Sequence, residues 1–411
     1  MENVLLIEAI IDKNEFSYKH KEMLNLLFTL GIMPNFIASQ VLSEPYINSY
    51  LGTGKIDEIH RLIKSENIEL VICNFDLTPT QYDTLHHIFK VEILDRTGVI
   101  LQIFSIMAKS KEARLQVEIA NLKYLKNRLV NKEANYSQVT SGGSAHNKGS
   151  GEKQIDLDRS KYRMLLKRKQ KELDELVIQR KNTRKMRTNL PVVAIVGYTN
   201  AGKSTLLNKL ISKSNNKNSK KVLEEDRLFS TLETSTRLID IYNYPSFLLT
   251  DTVGFISHLP TMLVDAFKST LEEIKEADLL INVVDVSSPY YMDNLFVTED
   301  ILIKLDASKI PQIILYNKVD ECKNIPFIPK ENELLVSLNT DEDIEQIMQL
   351  IFDRLSKNWE YQQIKIPVFK DIYRLKKLGY VKNMEMFDDY YLVDLYFPPY
   401  NKQKLKDFLN D

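Results

Sequence analysis

The chain has 411 residues, and its 55 Lys+Arg against 56 Asp+Glu give a formal net charge of −1, which argues against a uniformly basic nucleic-acid coat. At roughly 100 to 200 residues per domain the length predicts two to four domains, and 44% hydrophobic with 27% charged residues fits a soluble globular protein. No apolar run approaches the roughly 18 residues of a membrane span, and the start MENVLLIEAIIDKNE carries charge where a signal peptide needs a longer apolar stretch. Neither a membrane span nor secretion is expected. Two distant cysteines, Cys73 and Cys322, fit a reduced cytoplasmic compartment, and both read as buried small residues. Adjacent His86 and His87 point different ways on a helix and His258 stands alone, so the histidines are not expected to ligate metal.

Residues 1–96 alternate short apolar runs such as Val4–Ile11 and Glu69–Asn74 with helical patterns such as Lys21–Gly31, which predicts a small α/β domain with a mainly parallel sheet. LGTGKIDEIH at Leu51–His60 faintly resembles a phosphate loop, but it lacks the spacing and is expected to be a glycine turn opening a helix. Residues 97–190 contain no proline. They predict two long helices, Thr97 to Lys132 and Asp156 to Lys185, forming an antiparallel hairpin with a glycine-bearing tip. Residues 105–190 hold 21 Lys+Arg against 9 Asp+Glu, a net of +12 that leaves −13 on the rest of the chain. Runs such as Lys161–Lys171 and Arg180–Arg187 exceed what solubility needs and point to phosphate-backbone binding.

Residues 191–358 alternate strands and helices again and carry the strongest motifs. Gly197, Tyr198, Thr199, Asn200, Ala201, Gly202, Lys203 and Ser204 spell GYTNAGKS, a Walker phosphate loop between an apolar strand and a helix. Gly197 and Gly202 permit backbone angles that aim N–H groups at phosphate oxygens. Lys203 should reach the β and γ phosphates, and Ser204 should ligate Mg²⁺. Downstream, FLLTDTVGF ends a strand in Asp251, Thr252, Val253 and Gly254. Asp251 would hold Mg²⁺ through water, and the Gly254 N–H would contact the γ phosphate. ILYNKVD ends another strand in Asn317, Lys318, Val319 and Asp320. The Asp320 carboxylate can accept the N1–H and N2 amine of guanine, a donor pair that adenine lacks. The three motifs stand at strand ends in the order a guanine-nucleotide switch requires. Between them, FSTLETSTR at Phe229–Arg237 must supply a threonine that closes over Mg²⁺ and the γ phosphate; spacing alone leaves Thr231, Thr234 and Thr236 open. Residues 359–411 hold seven of the 20 tyrosines and predict a small strand-rich or α+β domain whose aromatics are expected to be core in preference to RNA-stacking platforms.

GYTNAGKSTLLN, FSTLETSTR, DTVGFI and NKVD, with LGTGKIDEI, LDRTGVILQIF and ARLQVEIANLKYL, resemble the HflX family of ribosome-associated GTPases over residues 1 to about 358. The resemblance implies an N-terminal HflX domain, a Ras-like GTPase domain, a short C-terminal domain, a cytoplasmic and partly ribosome-associated protein, and binding to the large ribosomal subunit and its RNA. It also implies splitting of stalled or idle ribosomes under stress. Within Phe229, Ser230, Thr231, Leu232 and Glu233, it assigns Thr231 as the Mg²⁺-binding threonine, so the expected catalytic set is Lys203, Thr231 and Gly254. Two motifs depart from the family. The tip reads GGSAHNKGSGE at Gly142–Glu152, lacking the family's arginine and proline, and Ser337, Leu338 and Asn339 stand where the family has SAK for the guanine base. That second segment is expected to act only through its backbone.

Phe255 follows DTVG where Ras-type switches carry a water-orienting glutamine, so slow intrinsic GTP hydrolysis to GDP is expected, with the ribosome completing the geometry. Asn200 is a candidate K⁺ ligand or a turn residue. A monomer is expected. A GTP-gated RNA-binding adaptor whose switching does not need hydrolysis is the competing function, and ATP-dependent RNA remodelling through the N-terminal domain ranks last.

Overall fold

The structure is a computed structural model that describes residues 3–128, 150–185, 190–214, 235–241, 244–252, 254–256, 274–322, 327–368, 370, 372–376 and 378–410. The chain forms two compact units, one mainly of residues 1–180 and one mainly of residues 181–411. No helix among the described residues is long and apolar enough to cross a membrane.

In the first unit, strands β1 (Val4–Ile10), β2 (Phe36–Val41), β3 (Leu70–Cys73) and β4 (Glu92–Leu94) make a parallel sheet in the order β2-β1-β3-β4. The connecting helices are α1 (Lys13–Thr29), α2 (Thr53–Ser65) and α3 (Pro79–Phe89). Ile56, Ile59 and Ile63 of α2 and Leu85 and Phe89 of α3 pack with Leu5, Ile7, Val71, Cys73 and Ile93 of the sheet, the covered face that parallel strands require. Gly52 is the N-cap of α2, its N–H donating to the Gln40 side chain, so LGTGK is a helix start. Cys73 is fully buried, whereas Cys322 is only half-buried.

The helix expected over Thr97 to Lys132 is two helices, α4 (Arg96–Met107) and α5 (Lys111–Arg128). Ala108 turns extended, and the Ser110 hydroxyl accepts the Ala113 N–H at 3.1 Å, an N-cap that restarts the chain in a new direction. α4 buries residues on every side, as a helix inside a core does, whereas α5 pairs with α6 (Ser150–Lys185) through Leu115, Ile119 and Leu173 and a 2.7 Å Lys169–Glu118 ion pair. α6 starts six residues earlier than expected. The tip residues 142–149 lie outside the described residues.

The LDRTG motif is the joint between sheet and arm. Asp95 caps α4 by accepting the Gly98 N–H at 2.9 Å, and it also accepts the Tyr124 hydroxyl at 2.6 Å and pairs with Arg128 at 3.0 Å. The Arg128 guanidinium lies between the rings of Tyr82 and Tyr124, at 3.8 and 4.1 Å from their centroids. Arg96 pairs with buried Glu22, and the Thr97 hydroxyl donates to Asp76 at 2.6 Å. Asp95→Ala should therefore destabilise the first unit by about 3–5 kcal/mol, because it strips the counter-charge from Arg128 as well as the helix cap. Urea unfolding followed by far-UV circular dichroism measures this, and a loss under about 1 kcal/mol would show the joint to be dispensable.

The second unit contains a six-stranded sheet, β10-β9-β8-β5-β7-β6, parallel except for the edge strand β6. Its strands are β5 (Val192–Gly197), β6 (Ser235–Ile239), β7 (Phe247–Asp251), β8 (Leu279–Asp285), β9 (Gln312–Asn317) and β10 (Glu333–Leu335). Helices α7 (Lys203–Lys213), α8 (Tyr291–Lys304) and α9 (Asp341–Leu355) cover it. Connections leave β5 to both sides, so the loop after β5 opens where the strand order reverses, the place where open α/β sheets bind ligands. Strands β11 (Glu360–Pro367), β12 (Tyr380–Met386) and β13 (Tyr390–Phe397) form an antiparallel sheet, backed on one face by α10 (Ile372–Lys376) and α11 (Lys402–Asn410). The architecture is mixed α/β with a Ras-like P-loop domain.

Candidate nucleotide-binding site

Val193 to Val196 are fully buried, which drives β5 through the centre of the sheet and delivers Gly197 to its carboxyl end. Gly197 has φ +138°, and a Cβ there would collide with the Val283 carbonyl of β8. Gly202, at φ +104°, forms the N-cap of α7, and a Cβ on it would run into the Asn317 amide. Both positions require glycine. Asn200 also lies in the left-handed region, φ +60°, the turn geometry that asparagine tolerates.

Lys203 is buried and its ammonium donates to the Tyr198 carbonyl at 2.5 Å. Asp251 and Thr252, at the end of β7, are fully buried, and the Thr252 hydroxyl donates to the Ile195 carbonyl at 2.6 Å. A Cβ on Gly254 would lie 2.8 Å from Thr199 Cγ2 and 2.9 Å from Lys203 Nζ, so its backbone is pressed against the phosphate loop. Phe255 is 1% exposed and bridges the same loop: its N–H donates to Gly197 at 3.1 Å and its carbonyl accepts from the Thr199 N–H at 2.7 Å. The phenylalanine packs inward beneath the loop, where it offers no group to a reacting water.

NKVD is joined to this cradle. Asn317 donates to the Ala201 carbonyl at 2.8 Å, while its buried Oδ1 has no hydrogen-bond partner among the described residues. Lys318 has φ +65° and its ammonium meets Asp285, at the end of β8, at 2.7 Å. Asp285, unnoticed in the sequence, also accepts the N–H and hydroxyl of Ser287 and so sets the lysine's position. A carboxylate closing the apolar run LLINVVD was the available signal. Val319 donates to the Val336 carbonyl at 3.3 Å, which brings Ser337 to Asn339 beside Asp320. Ser337 is fixed by Asp343 of α9, and Leu338 is buried with φ +58°. The Asn339 amide donates to Asp320 at 3.3 Å, which ties this segment to the base-reading carboxylate. Phe229 to Glu233, including Thr231, and Val253 lie outside the described residues.

The family described as "50S ribosome-binding GTPase" matches residues 192–318, "GTP-binding GTPase N-terminal" matches 17–105 and "GTP-binding GTPase Middle Region" matches 107–187. The GTPase HflX of Spirochaeta thermophila is 38% identical over 350 residues, covering 84% of each chain. This chain belongs to the HflX family of GTPases. The HflX proteins of Caldanaerobacter subterraneus and Escherichia coli K12 are 38% and 32% identical, each over 89% of this chain and over 83% and 86% of their own. The chain is accordingly a GTP-hydrolysing enzyme that binds guanine nucleotide.

The Ser204 hydroxyl on the first turn of α7 and the buried Asp251 carboxylate are hard oxygen donors of the kind that suit Mg²⁺ beside phosphates. Burial pushes the Lys203 ammonium down to about 8, with the Asp251 carboxylate pulling it back up. Phosphates favour the charged ammonium, so above pH 8 nucleotide binding should take up a proton. GTP affinity should then fall by up to about tenfold per pH unit above 8, with no contribution from this group below it. Nucleotide titrations from about pH 7 to 10 check this, and a flat profile would show that Lys203 keeps its charge.

Proposed function

We propose that this GTPase binds the large ribosomal subunit through its basic helical arm and, in the GTP state, splits or rescues stalled or idle ribosomes. The observation carrying this is that one chain combines a phosphate loop and base-reading segment with an arm whose α6 exposes Lys161, Arg163, Lys167, Arg168 and Lys171. That arm presents cationic side chains to a phosphate backbone, while most of the acidic charge lies elsewhere. We place the arm's start at Lys111, with residues 1–110 as the N-terminal domain, 191–358 as the GTPase domain and 359–411 as the C-terminal domain. The protein works in the cytoplasm as a monomer, partly ribosome-bound.

In the nucleotide site, Lys203 exchanges its bond to the Tyr198 carbonyl for β and γ phosphate oxygens. The Gly254 N–H, held at the loop between the anchored Thr252 and Phe255, donates to the γ phosphate. Ser204, Thr231 and, through water, Asp251 would hold Mg²⁺, which would offset the phosphate charge. Asn200 serves the turn of the loop, and its side-chain oxygen would be the ligand for K⁺ beside the phosphates. Asp320, steadied by Asn339, reads guanine. Because Phe255 is locked beneath the loop, the protein supplies no side chain there to orient water, and intrinsic turnover is slow.

Large ribosomal subunits should raise the single-turnover hydrolysis rate by about 10²-fold or more, the scale of one completed transition-state contact. An unchanged rate with intact subunit binding would favour the GTP-gated adaptor, and absence of binding would end both.

A further inference from the structure

The C-terminal sheet has one face packed on α10 and α11; on the other face Tyr380 of β12 packs against Phe352 of α9, while β11 and the middle of β13 stay open and are built from aromatic, amide and charged side chains. Strand alternation places Ile364, Ile366, Val393, Leu395 and Phe397 in the core. Their neighbours point the other way, in rungs set by the register. Tyr361 of β11 stands opposite Tyr396 of β13, with ring centroids 5.2 Å apart, and Tyr361 is 55% exposed. In the next rung Gln363, Asp394 and Asn383 align across the three strands. Asp394 accepts the Tyr361 hydroxyl at 2.8 Å, Gln363 at 3.1 Å and Asn383 at 3.2 Å, and these hydrogen bonds hold its carboxyl below the usual range. Lys365 lies 5.0 Å from the Tyr390 ring and Lys382 5.9 Å from the Tyr396 ring.

We propose that this open face is a stacking platform for single-stranded RNA, with Tyr361 and Tyr396 seating a base and Gln363 and Asn383 meeting its edge. Three features favour RNA over a protein partner. Leu392 and Pro367 are the aliphatic side chains among the outward positions 361, 363, 365, 367, 390, 392, 394 and 396 of β11 and β13, and both lie toward one end, so the face lacks the broad aliphatic centre that protein interfaces need. Tyrosine rings suit any base, since every base has a π face. Asp394 fixes groups from both neighbouring strands before any ligand arrives, which reduces the ordering needed on binding. The amides retain further donor and acceptor capacity for base edges. Lys365 and Lys382 are balanced by Glu385 and Asp394, so recognition here is through bases and the salt dependence is shallow, unlike that of the arm. That the RNA is ribosomal rests on the function proposed above; the platform itself does not.

The full-length protein tests this with a fluorescent single-stranded RNA decamer carrying 4-thiouridine, in about 0.3 M salt where phosphate contacts are weakened. Photo-crosslinks are expected at Tyr361 or Tyr396. The double variant Tyr361→Ala/Tyr396→Ala should bind about tenfold or more weakly, while Tyr361→Phe/Tyr396→Phe keeps most affinity. Both pairs should still sediment with large subunits through the arm. Crosslinks confined to the arm, together with equal affinity in the alanine variant, would overturn the proposal. So would a photoreactive residue at position 363 that joins only ribosomal protein when large subunits are supplied. If subunits fail to bind but the decamer still crosslinks at the tyrosines, the platform stands and the ribosomal assignment falls.

Discussion

Asp320→Asn is expected to weaken GTP binding by about 10²- to 10⁴-fold and to raise affinity for xanthosine triphosphate. Guanine presents two donors, N1–H and the N2 amine, to one carboxylate, and hydrogen bonds to a charged group contribute about 1.5–3 kcal/mol each. An amide can match only one of the two and turns an N–H toward the other. Xanthine carries a carbonyl at C2, which accepts that N–H. Asp320 is exposed just beyond the end of β9, and among the described residues its side chain is held by the 3.3 Å bond from Asn339, so the fold should survive the change. Calorimetric titration with GTP, xanthosine triphosphate and ATP reads the result. Undiminished GTP affinity would mean that the base is read elsewhere. Lys203→Ala, by contrast, should weaken all three nucleotides alike, because the lysine meets phosphates and not the base.

The parts of this site that were legible beforehand are those in which local chemistry dictates the residue. Gly197 and Gly202 carry positive φ angles and have no room for a Cβ, so the backbone itself selects glycine. The apolar runs before Gly197, Asp251 and Asn317 mark central strands of a parallel sheet, which are buried on both faces and read as unbroken hydrophobic stretches. What escaped depends on contacts between distant segments. The anchoring of Lys318 by Asp285 joins residues 33 apart, and the Asn339–Asp320 bond joins residues 19 apart, so neither leaves a periodic trace. The break between α4 and α5 was hidden for another reason. Neither proline nor glycine marks it, and Ser110 becomes readable as an N-cap only once the first half of α4 is known to be buried on all sides while α5 is not. In the C-terminal strands, β13 alternates cleanly, yet of the described aromatics only Phe397 and Phe408 are buried, so the expectation of mainly core aromatics does not hold there. Tyr361 stands on the opposite face, a distinction that register alone decides.

Binding to the large subunit should fall by about 10³- to 10⁵-fold between 50 and 200 mM salt if the arm makes six to ten phosphate contacts. Counterion release gives each contact roughly one unit of slope in a plot of log affinity against log salt. Lys161, Arg163 and Lys167 are exposed on α6, and no ion pair ties them among the described residues, whereas Arg168 is tied to Glu172 and Lys169 to Glu118. Replacing the first three by glutamine should therefore leave α6 packed on α5, leave intrinsic GTP hydrolysis unchanged, and make the salt slope shallower by about three units. A fall in affinity with an unchanged slope would mean that the substitutions disturbed the arm's shape and not its phosphate contacts. Affinity independent of salt in the parent protein would remove the arm as the electrostatic footprint altogether. Comparing GTP-analogue and GDP states in the same salt series separates the two halves of the mechanism. The arm's charge is the same in both states, so the slope should persist while the intercept shifts with the nucleotide, and by the differential affinity alone.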